Sequence, residues 1–265
     1  MTINSLKIVA LIIMFFDHIG EFIPHSPMWL RYIGRISAPL FFYCSAWGIY
    51  YTHNKVIYLL RLYILGIIMC LVNILISHFI CGDKLISNNI FSTIFMGCLI
   101  VSILESTNNN MRKKIIYVII FLLVQAGSFF LCYLFAEFFS VPHPVDTYML
   151  YYLYGALFGN VIFVEGSFLF VIYFVMIYFL KKRNMYLIIF HTFFSLFIGL
   201  LARRTYRDRG ALTYLVPFNT FQWLMLFAIP FFILYNGKKG NGNKAFFYIF
   251  YPLHIWVLFI IGYFI

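Results

Sequence analysis

Long apolar stretches alternate with short polar segments along the whole chain. A helix that crosses a membrane needs about 20 mostly apolar residues. Nine stretches approach that length, at 7–24, 33–52, 56–79, 89–105, 115–139, 166–180, 185–202, 219–235 and 245–264. The pattern therefore predicts an all-α fold, a polytopic transmembrane helix bundle.

The segment 140–165 decides between nine and ten spans. Both of its ends are polar, but its middle, 148–164, is rich in tyrosine and apolar enough to cross a membrane. With nine spans and a cytoplasmic N-terminus, 12 of the 19 lysines and arginines fall on the cytoplasmic side, whereas ten spans divide them ten to nine. Cytoplasmic loops carry an excess of these residues. We therefore expect nine spans, with 140–165 as a re-entrant or interfacial segment on the outer face.

The composition agrees with a lipid environment. Hydrophobic residues make up 64% and charged residues 10% of the 265 residues, and the mean hydropathy is +0.93. A soluble domain carries about 25% charged residues, so this chain could not cover a surface that faces water. A disordered chain and a secreted disulfide scaffold are therefore excluded. The net charge of +11 comes from short clusters between apolar stretches, which does not indicate nucleic-acid binding. We expect one integral membrane domain over 1–265, multi-pass in the cell membrane and in contact with lipid.

The cysteines give no sign of a metal or redox site. All five stand singly along the chain, without a CxxC pair. Cysteines of this kind usually serve as small packing residues. We therefore predict no metal cofactor.

Ionisable residues in the first span are the strongest functional signal, because each costs about 2.5–3.5 kcal/mol on insertion scales. Asp17 and Glu21 are four residues apart and His18 and Glu21 three apart, so all three share one flank of a helix. Arg35 follows in the second span, four residues after Arg31. A buried arginine needs a carboxylate partner. We expect either a structural ion pair between the first two spans or a reaction centre around His18.

The last span carries Tyr251 and His254 on either side of a proline. His254 lies ten residues after Lys244, and His18 lies eleven after Lys7. At 1.5 Å per residue, both histidines lie about 15 Å into their spans. Equal depth on the first and last spans predicts a shared central cavity, with Tyr251 and His254 as substrate-binding residues. Histidines that only bridge the two helices by hydrogen bonds are the alternative.

Two further sets of residues carry weaker signals. Near the predicted cytoplasmic side, four basic or imidazole groups could bind an anionic cofactor, namely His53, Lys55, Arg61 and His191. Near the outer side, the arginine-rich run 203–209 could dock an anionic acceptor through Arg203, Arg204 and Arg207. Both sets have a plainer explanation, since basic side chains near span ends snorkel to water and charge runs are usually solvated.

Several blocks of sequence follow one another in an order that is informative. They are 6–10, Asp17-His18-Ile19-Gly20, 29–35, 39–41, 52–54, 58–62, 89–93 and 247–254. In this order they resemble the TraX family of integral membrane acetyltransferases. The blocks around Asp17-His18 and Gly34-Arg35 are the most specific, whereas 115–235 shows little resemblance.

The resemblance implies transfer of an acetyl group from cytosolic acetyl-CoA to an acceptor at the outer face. The founding activity of the family is N-acetylation of a conjugative pilin, and its layout is similar to that of membrane acyltransferases that modify cell-surface glycans. An extracytoplasmic pilin-like peptide or surface glycan is thus the expected acceptor. The resemblance also implies that His18 is the essential histidine and that Arg35 and Arg61 are the family's arginines.

The chemistry can be argued from the residues as well. Acetyl transfer to an amine or hydroxyl needs a base for the acceptor proton and a donor for the oxyanion. We expect His18 to be that base, or a nucleophile, positioned by Asp17 or Glu21. Arg35 would hold a carboxylate or polarise the acetyl carbonyl. The phosphates of acetyl-CoA would lie near Lys55, Arg61 and the other cytoplasmic basic clusters.

Two other functions fit the same buried groups. A proton-coupled membrane transporter would use Asp17, His18, Glu21 and His254 to relay protons. A non-catalytic membrane assembly factor would keep its function when His18 is replaced. The sequence is compatible with N- or O-acetylation and with any oligomeric state.

Overall fold

The computed structural model describes residues 1–80, 85–106, 110–139, 144–208, 218–242 and 244–265. These ranges are helical, with 81% of residues in helices and no strand. In chain order the helices are α1 (Ile3–Phe22), α2 (Trp29–Gly34), α3 (Ser37–Tyr51), α4 (Lys55–Phe79), α5 (Ile90–Ser106), α6 (Met111–Phe139), α7 (Pro144–Phe158), α8 (Ser167–Leu180), α9 (Asn184–Asp208), a 3₁₀-helix (Gln222–Ala228), α10 (Ile229–Leu234) and α11 (Lys244–Phe264).

The helix lengths confirm the predicted polytopic bundle. Within the described part of the chain, five helical stretches are long and apolar enough to cross a membrane. They are Ile3–Phe22, Lys55–Phe79, Met111–Phe135, Asn184–Arg207 and Ala245–Phe264. The other predicted spans form shorter apolar helices, because breaks in the helix interrupt them.

Three predicted boundaries differ from the structure. The span predicted at 33–52 divides into α2 and α3 at Arg35, and Pro39 falls in the first turn of α3, where its missing N–H is tolerated. The span predicted at 219–235 begins as a 3₁₀-helix and continues as α10. Residues 203–208 of the arginine-rich run are helical rather than a loop, because α9 continues to Asp208; residue 209 lies outside the described residues. Arginine is a good helix former, so the end of the apolar stretch does not end the helix.

The chain forms two compact units. Unit 1 comprises Met1–Tyr51 and Met176–Ile265, and unit 2 comprises Thr52–Val175. In unit 1, α1 and α11 pack in parallel. The Lys7 ammonium lies 5.5 Å from the Phe247 ring centroid near the start of both helices, and the Phe22 and Phe259 ring centroids are 5.4 Å apart near their ends. First and last helices that run the same way require an odd number of crossings, as nine spans do.

One end of unit 1 carries several basic side chains, and we call it the basic end. It is formed by Met1–Asn4, Tyr50–Tyr51, Lys181–Arg183 and 236–239. The backbone N–H groups of Ile3 and Asn4 donate to the carbonyls of Lys238 and Lys239, at 3.0 and 3.2 Å. The Tyr51 hydroxyl donates to the Gly237 carbonyl at 3.5 Å. The Lys182 ammonium donates to the Tyr50 hydroxyl. Three segments predicted to face the cytoplasm, the N-terminus, 181–183 and 236–239, therefore lie together.

In unit 2, α5 starts beside the middle of α4. The Lys55 ammonium pairs with the Glu105 carboxylate, so the start of α4 meets the end of α5. Residues 85–89 run back along α4 without forming a helix, and the Asn89 side chain donates to the Gly66 carbonyl at 2.9 Å. Irregular backbone at membrane depth must be buried in protein. Here its polar groups bond to α4, including a 3.0 Å bond from the Asn73 amide to the Asn88 carbonyl.

The segment predicted as re-entrant does not add a crossing of its own. α7 runs antiparallel to α4, with the Tyr63 hydroxyl donating to the Leu157 carbonyl at 2.7 Å. α8 runs parallel to α5, with the Thr93 hydroxyl donating to the Glu165 carbonyl at 2.7 Å. Because α5 is antiparallel to α4, α7 and α8 share one direction and complete one crossing between them. Residues 140–143 of this segment lie outside the described residues.

Candidate active site

Two buried histidines from the first and last helices meet in unit 1. His18 Nδ1 lies 2.7 Å from His254 Nε2, and the two rings stack with centroids 4.9 Å apart. Each residue is only 5% exposed. The structure therefore brings together the two histidines that the sequence places at equal depth. α1 begins at Ile3 and ends at Phe22, so His18 lies about 6 Å before the end of α1, farther from the basic end than the count from Lys7 indicates.

Hydrogen bonding fixes which ring nitrogens carry protons. His254 Nδ1 lies 2.7 Å from the Phe250 carbonyl oxygen, which can only accept, so His254 Nδ1 is the donor. In a neutral His254 ring, Nε2 then accepts from His18 Nδ1. The lone pair of a neutral His18 is therefore on Nε2. This is the arrangement of a base whose orientation is set by a second group.

The acidic residues of α1 bind arginines. Arg31 Nη1 donates to Asp17 Oδ1 at 2.8 Å and to Glu21 Oε2 at 2.7 Å. Arg35 Nη2 pairs with Asp17 Oδ2. Each oxygen of the Asp17 carboxylate therefore binds an arginine. His254 makes a hydrogen bond to His18, and the expectation that Asp17 or Glu21 positions His18 stays a prediction.

Close backbone packing holds the charged cluster together. A Cβ on Gly34 would lie 2.2 Å from Asp17 Cβ, so a side chain at this position would displace the carboxylate. Arg35 Nε donates to the Arg31 carbonyl at 3.2 Å, which holds the second arginine against the first. The Gly34-Arg35 pair is thus explained by close contact between α2 and α1.

The sequence did not single out two partners of this cluster. Gln222 accepts from Arg35 Nη1 at 3.2 Å, and the Arg35 guanidinium lies 5.7 Å from the centroid of the Phe221 ring. Gln222 is 3% exposed. Its only signal in the sequence is an amide at the start of an apolar stretch. Arg31, noticed for its spacing from Arg35, is the residue that joins both carboxylates.

Tyr251 lies one turn before His254 on α11 and is buried. The two ring centroids are 6.0 Å apart in an edge contact. Tyr251 therefore packs against the histidine pair from the same helix.

The residues predicted to bind an anionic cofactor belong to both units. His191 is fully buried in unit 1 and its Nε2 donates to the Met225 carbonyl at 2.9 Å, which is a structural bond. His53, Lys55 and Arg61 belong to unit 2, where His53 and Arg61 are exposed and Lys55 pairs with Glu105.

The arginines predicted to dock an acceptor are exposed on α9. Arg203, Arg204 and Arg207 lie in its last turns, and Gly199, one turn earlier, packs against Trp223. They therefore lie toward the same end of unit 1 as Gln222. In the described ranges, no group of three His, Cys, Asp or Glu side chains could hold a metal ion.

Comparison with known proteins gives one match. A family model described as TraX protein matches residues 2–138, just over half of the chain. The matched part contains Asp17, His18, Arg31 and Arg35, whereas His254 and Gln222 lie beyond it. Neither the curated proteins nor the solved structures provide a match.

Proposed function

Because this chain belongs to the TraX family, we propose that it is a membrane acetyltransferase that uses acetyl-CoA as donor, with His18 as its central catalytic residue. The hydrogen-bonded pair of His18 and His254 carries the proposal. A buried imidazole whose Nδ1–H is bound by a second, anchored ring keeps its Nε2 lone pair directed for proton transfer or attack. The resemblance to acetyltransferases supplies the reaction class.

The reaction balances with one proton acceptor. The acceptor nitrogen or oxygen attacks the thioester carbonyl carbon, and its proton moves to His18 Nε2. The new C–N or C–O bond forms as the C–S bond breaks, and coenzyme A leaves as a thiolate that takes up the proton. His254 keeps His18 in the required tautomer, and its Nδ1–H stays on the Phe250 carbonyl.

Arg35 has two roles in this proposal. It neutralises Asp17 together with Arg31, so that the carboxylate is tolerated in an apolar bundle. Its guanidinium also adds positive charge near the histidine pair, which favours the oxyanion formed during attack. We assign Asp17 and Glu21 to holding the arginines rather than to direct contact with the reacting atoms.

The two ends of unit 1 suit the two substrates. We propose that the basic end faces the cytoplasm, as an excess of lysine and arginine favours, and receives acetyl-CoA. The opposite end, with exposed Arg203, Arg204 and Arg207 on α9, would receive an anionic peptide or glycan acceptor outside. Tyr251 and His254 would contact the acetyl group or the acceptor between these ends.

Replacement of His18 tests the proposal. Membrane vesicles that contain the wild type or His18→Ala would receive acetyl-CoA labelled in the acetyl group, with the vesicles of the host cell as the source of acceptor. We expect His18→Ala to lose at least about 10²-fold in rate, while the protein still folds. The matched control is His78→Ala, since His78 is an exposed histidine on α4. Normal transfer by a folded His18→Ala protein would refute the assignment and leave His254 as the next candidate base.

A proton-coupled transporter is the second candidate, and one observation in unit 2 favours it. α5 begins after the irregular segment 85–89, and α8 begins after the irregular segment 159–166, beside Glu165. Interrupted helices with polar groups at their starts mark substrate sites in many transporters. Proteoliposomes with a pH-sensitive dye inside would distinguish the two functions, because proton movement without acetyl-CoA is expected only of a transporter.

A further inference from the structure

The 3₁₀-helix of unit 1 turns a polar amide toward the charged cluster on α1 and α2. This helix has seven residues, Gln222–Ala228, and its side chains repeat every three residues along one face. Its buried residues are Gln222, Met225 and Ala228, which share that face. Runs of 3₁₀-helix longer than three or four residues are uncommon. Here the tight winding buries Gln222 together with two apolar side chains.

The orientation of the Gln222 amide follows from its partner. A guanidinium can only donate hydrogen bonds, so the 3.2 Å contact with Arg35 Nη1 is made by Gln222 Oε1. The oxygen and the nitrogen of an amide are bonded to one planar carbon, so Gln222 Nε2 points away from Arg35 Nη1. The two N–H groups on Nε2 are therefore left to bind something else.

These two N–H groups have no hydrogen-bond partner within the described part of the chain. The Gln222 side chain bonds only to Arg35 there, although Gln222 is buried and buried polar groups normally have partners. The described side-chain atoms that are both fully enclosed and unpartnered do not include Gln222 Nε2. A small opening therefore leads to this nitrogen, and a substrate oxygen could accept from it.

Arg35 joins this amide to the helix that carries His18. Its guanidinium donates through Nη1 to Gln222 and pairs through Nη2 with Asp17, the residue directly before His18 on α1. Consecutive residues of an α-helix differ in height by only about 1.5 Å. The Gln222 amide therefore lies near the level of His18, on the flank of α1 that adjoins the histidine pair.

The cluster around Gln222 carries no net charge. Its two carboxylates and two guanidiniums balance each other in ion pairs. A substrate phosphate or carboxylate would meet both signs of charge and gain little overall. A neutral amide in this setting suits an oxygen that is uncharged before the reaction. The acetyl carbonyl is such an oxygen, and it must come to His18 whichever acceptor is used.

We propose that the Gln222 amino group donates a hydrogen bond to the acetyl carbonyl of the donor thioester. As the acceptor attacks, the carbonyl oxygen gains negative charge, and an amide donor that is already fixed in place stabilises that charge. Gln222 keeps both of its amide protons throughout, and the electron pair returns to the carbonyl when the C–S bond breaks. The inference rests on the proposed function for the reaction. It adds a catalytic residue outside the part of the chain that the family model matches.

Two substitutions of Gln222 distinguish a hydrogen-bond donor from a support for Arg35. Gln222→Glu keeps an oxygen for Arg35 and removes the amino group, whereas Gln222→Met keeps the volume and removes both. We expect each variant to lose about 10²-fold in kcat, the lower end of the range for loss of an oxyanion donor. An equal fall in kcat/KM for acetyl-CoA should accompany it, because the bond strengthens only in the transition state.

A matched control and a second acceptor complete the experiment. Asn219→Asp introduces the same charge as Gln222→Glu at an exposed position three residues away and should keep the wild-type rate. Rates would be measured in membrane vesicles with labelled acetyl-CoA and divided by the folded fraction from a melting curve. Transfer to hydroxylamine, which is too small to need an acceptor site, should fall by the same factor, because Gln222 acts on the acetyl group.

The outcomes separate this inference from the proposed function. An active Gln222→Glu protein beside an inactive Gln222→Met protein would refute it, because Gln222 would then only support Arg35. A loss that spares transfer to hydroxylamine would also refute it, because Gln222 would contact the acceptor instead. Wild-type rates in both folded variants would remove Gln222 from the reaction, and the proposed function would stand if His18→Ala is inactive. A wild type that transfers no acetyl group would refute the proposed function itself.

Discussion

Asp17 and Glu21 share Arg31 but differ in burial, which gives a matched pair of substitutions. The Asp17 side chain is 9% exposed and binds both Arg31 and Arg35, whereas the Glu21 side chain is 29% exposed and binds Arg31. Asp17→Asn keeps the volume but leaves two cations without their shared anion. Removing one partner of a buried ion pair costs about 3–5 kcal/mol.

The expected change in melting temperature follows from that cost. At about 2–4 °C per kcal/mol for a chain of this size, Asp17→Asn should melt about 6–20 °C below the wild type in detergent. Glu21→Gln removes a more exposed partner, and we expect a loss of about 0–1 kcal/mol, or at most about 4 °C. Thermal unfolding followed by intrinsic fluorescence measures both, since the 4 tryptophans report on packing.

A double variant tests the reason for the difference. Adding Arg35→Gln to Asp17→Asn removes one uncompensated cation, so part of the lost melting temperature should return. Equal losses for Asp17→Asn and Glu21→Gln would refute the reasoning, because burial would then not determine the cost. A double variant less stable than the sum of the two single changes would also contradict it.

Two further predictions follow from the site and the topology. His254→Gln supplies an oxygen that can accept from His18 Nδ1, so it should retain more acetyl transfer than His254→Ala; equal kcat for the two variants would mean that His254 does not orient His18. For topology, cysteines introduced at 182 and 207 in a Cys81→Ser background should be labelled by an impermeant maleimide from opposite sides of the membrane, with 207 labelled from outside; cytoplasmic labelling of 207 would contradict the nine-span arrangement.

Much of the fold could be predicted from the sequence because lipid imposes long apolar helices. The apolar stretches predicted the helices. Together with the distribution of basic residues between the two sides, they also predicted an odd number of crossings. The turn at Arg35 was missed because it lies within an apolar stretch, and the end of α9 was misplaced because arginine continues a helix as well as leucine does. The single crossing made by α7 and α8 depends on long-range bonds such as Tyr63 to Leu157, which no local pattern reveals.

The site could be predicted in its members but not in its pairings. Counting residues from Lys7 and Lys244 placed His18 and His254 at similar depth, and the structure puts them in contact. Spacing along α1 suggested that an acid positions His18, but it did not indicate that Asp17 binds both Arg31 and Arg35. Which of two possible partners a carboxylate takes depends on how α2 packs, and that is set by Gly34. Gln222 could not be predicted as a member of the site, because its contact with Arg35 depends on the fold.

The separation of the two histidines along the chain determines the order in which the site is built. His18 and His254 are 236 positions apart, so at about 5–20 residues per second the ribosome adds His254 about 10–50 s after His18. The partners of Asp17 are synthesised much sooner after it, because Arg31 and Arg35 follow it by only 14 and 18 positions. During synthesis the carboxylate can therefore be neutralised as soon as the second hydrophobic segment enters the bilayer. The histidine pair forms only when the final helix inserts, so a chain released early by the ribosome carries a paired Asp17 and no oriented His18.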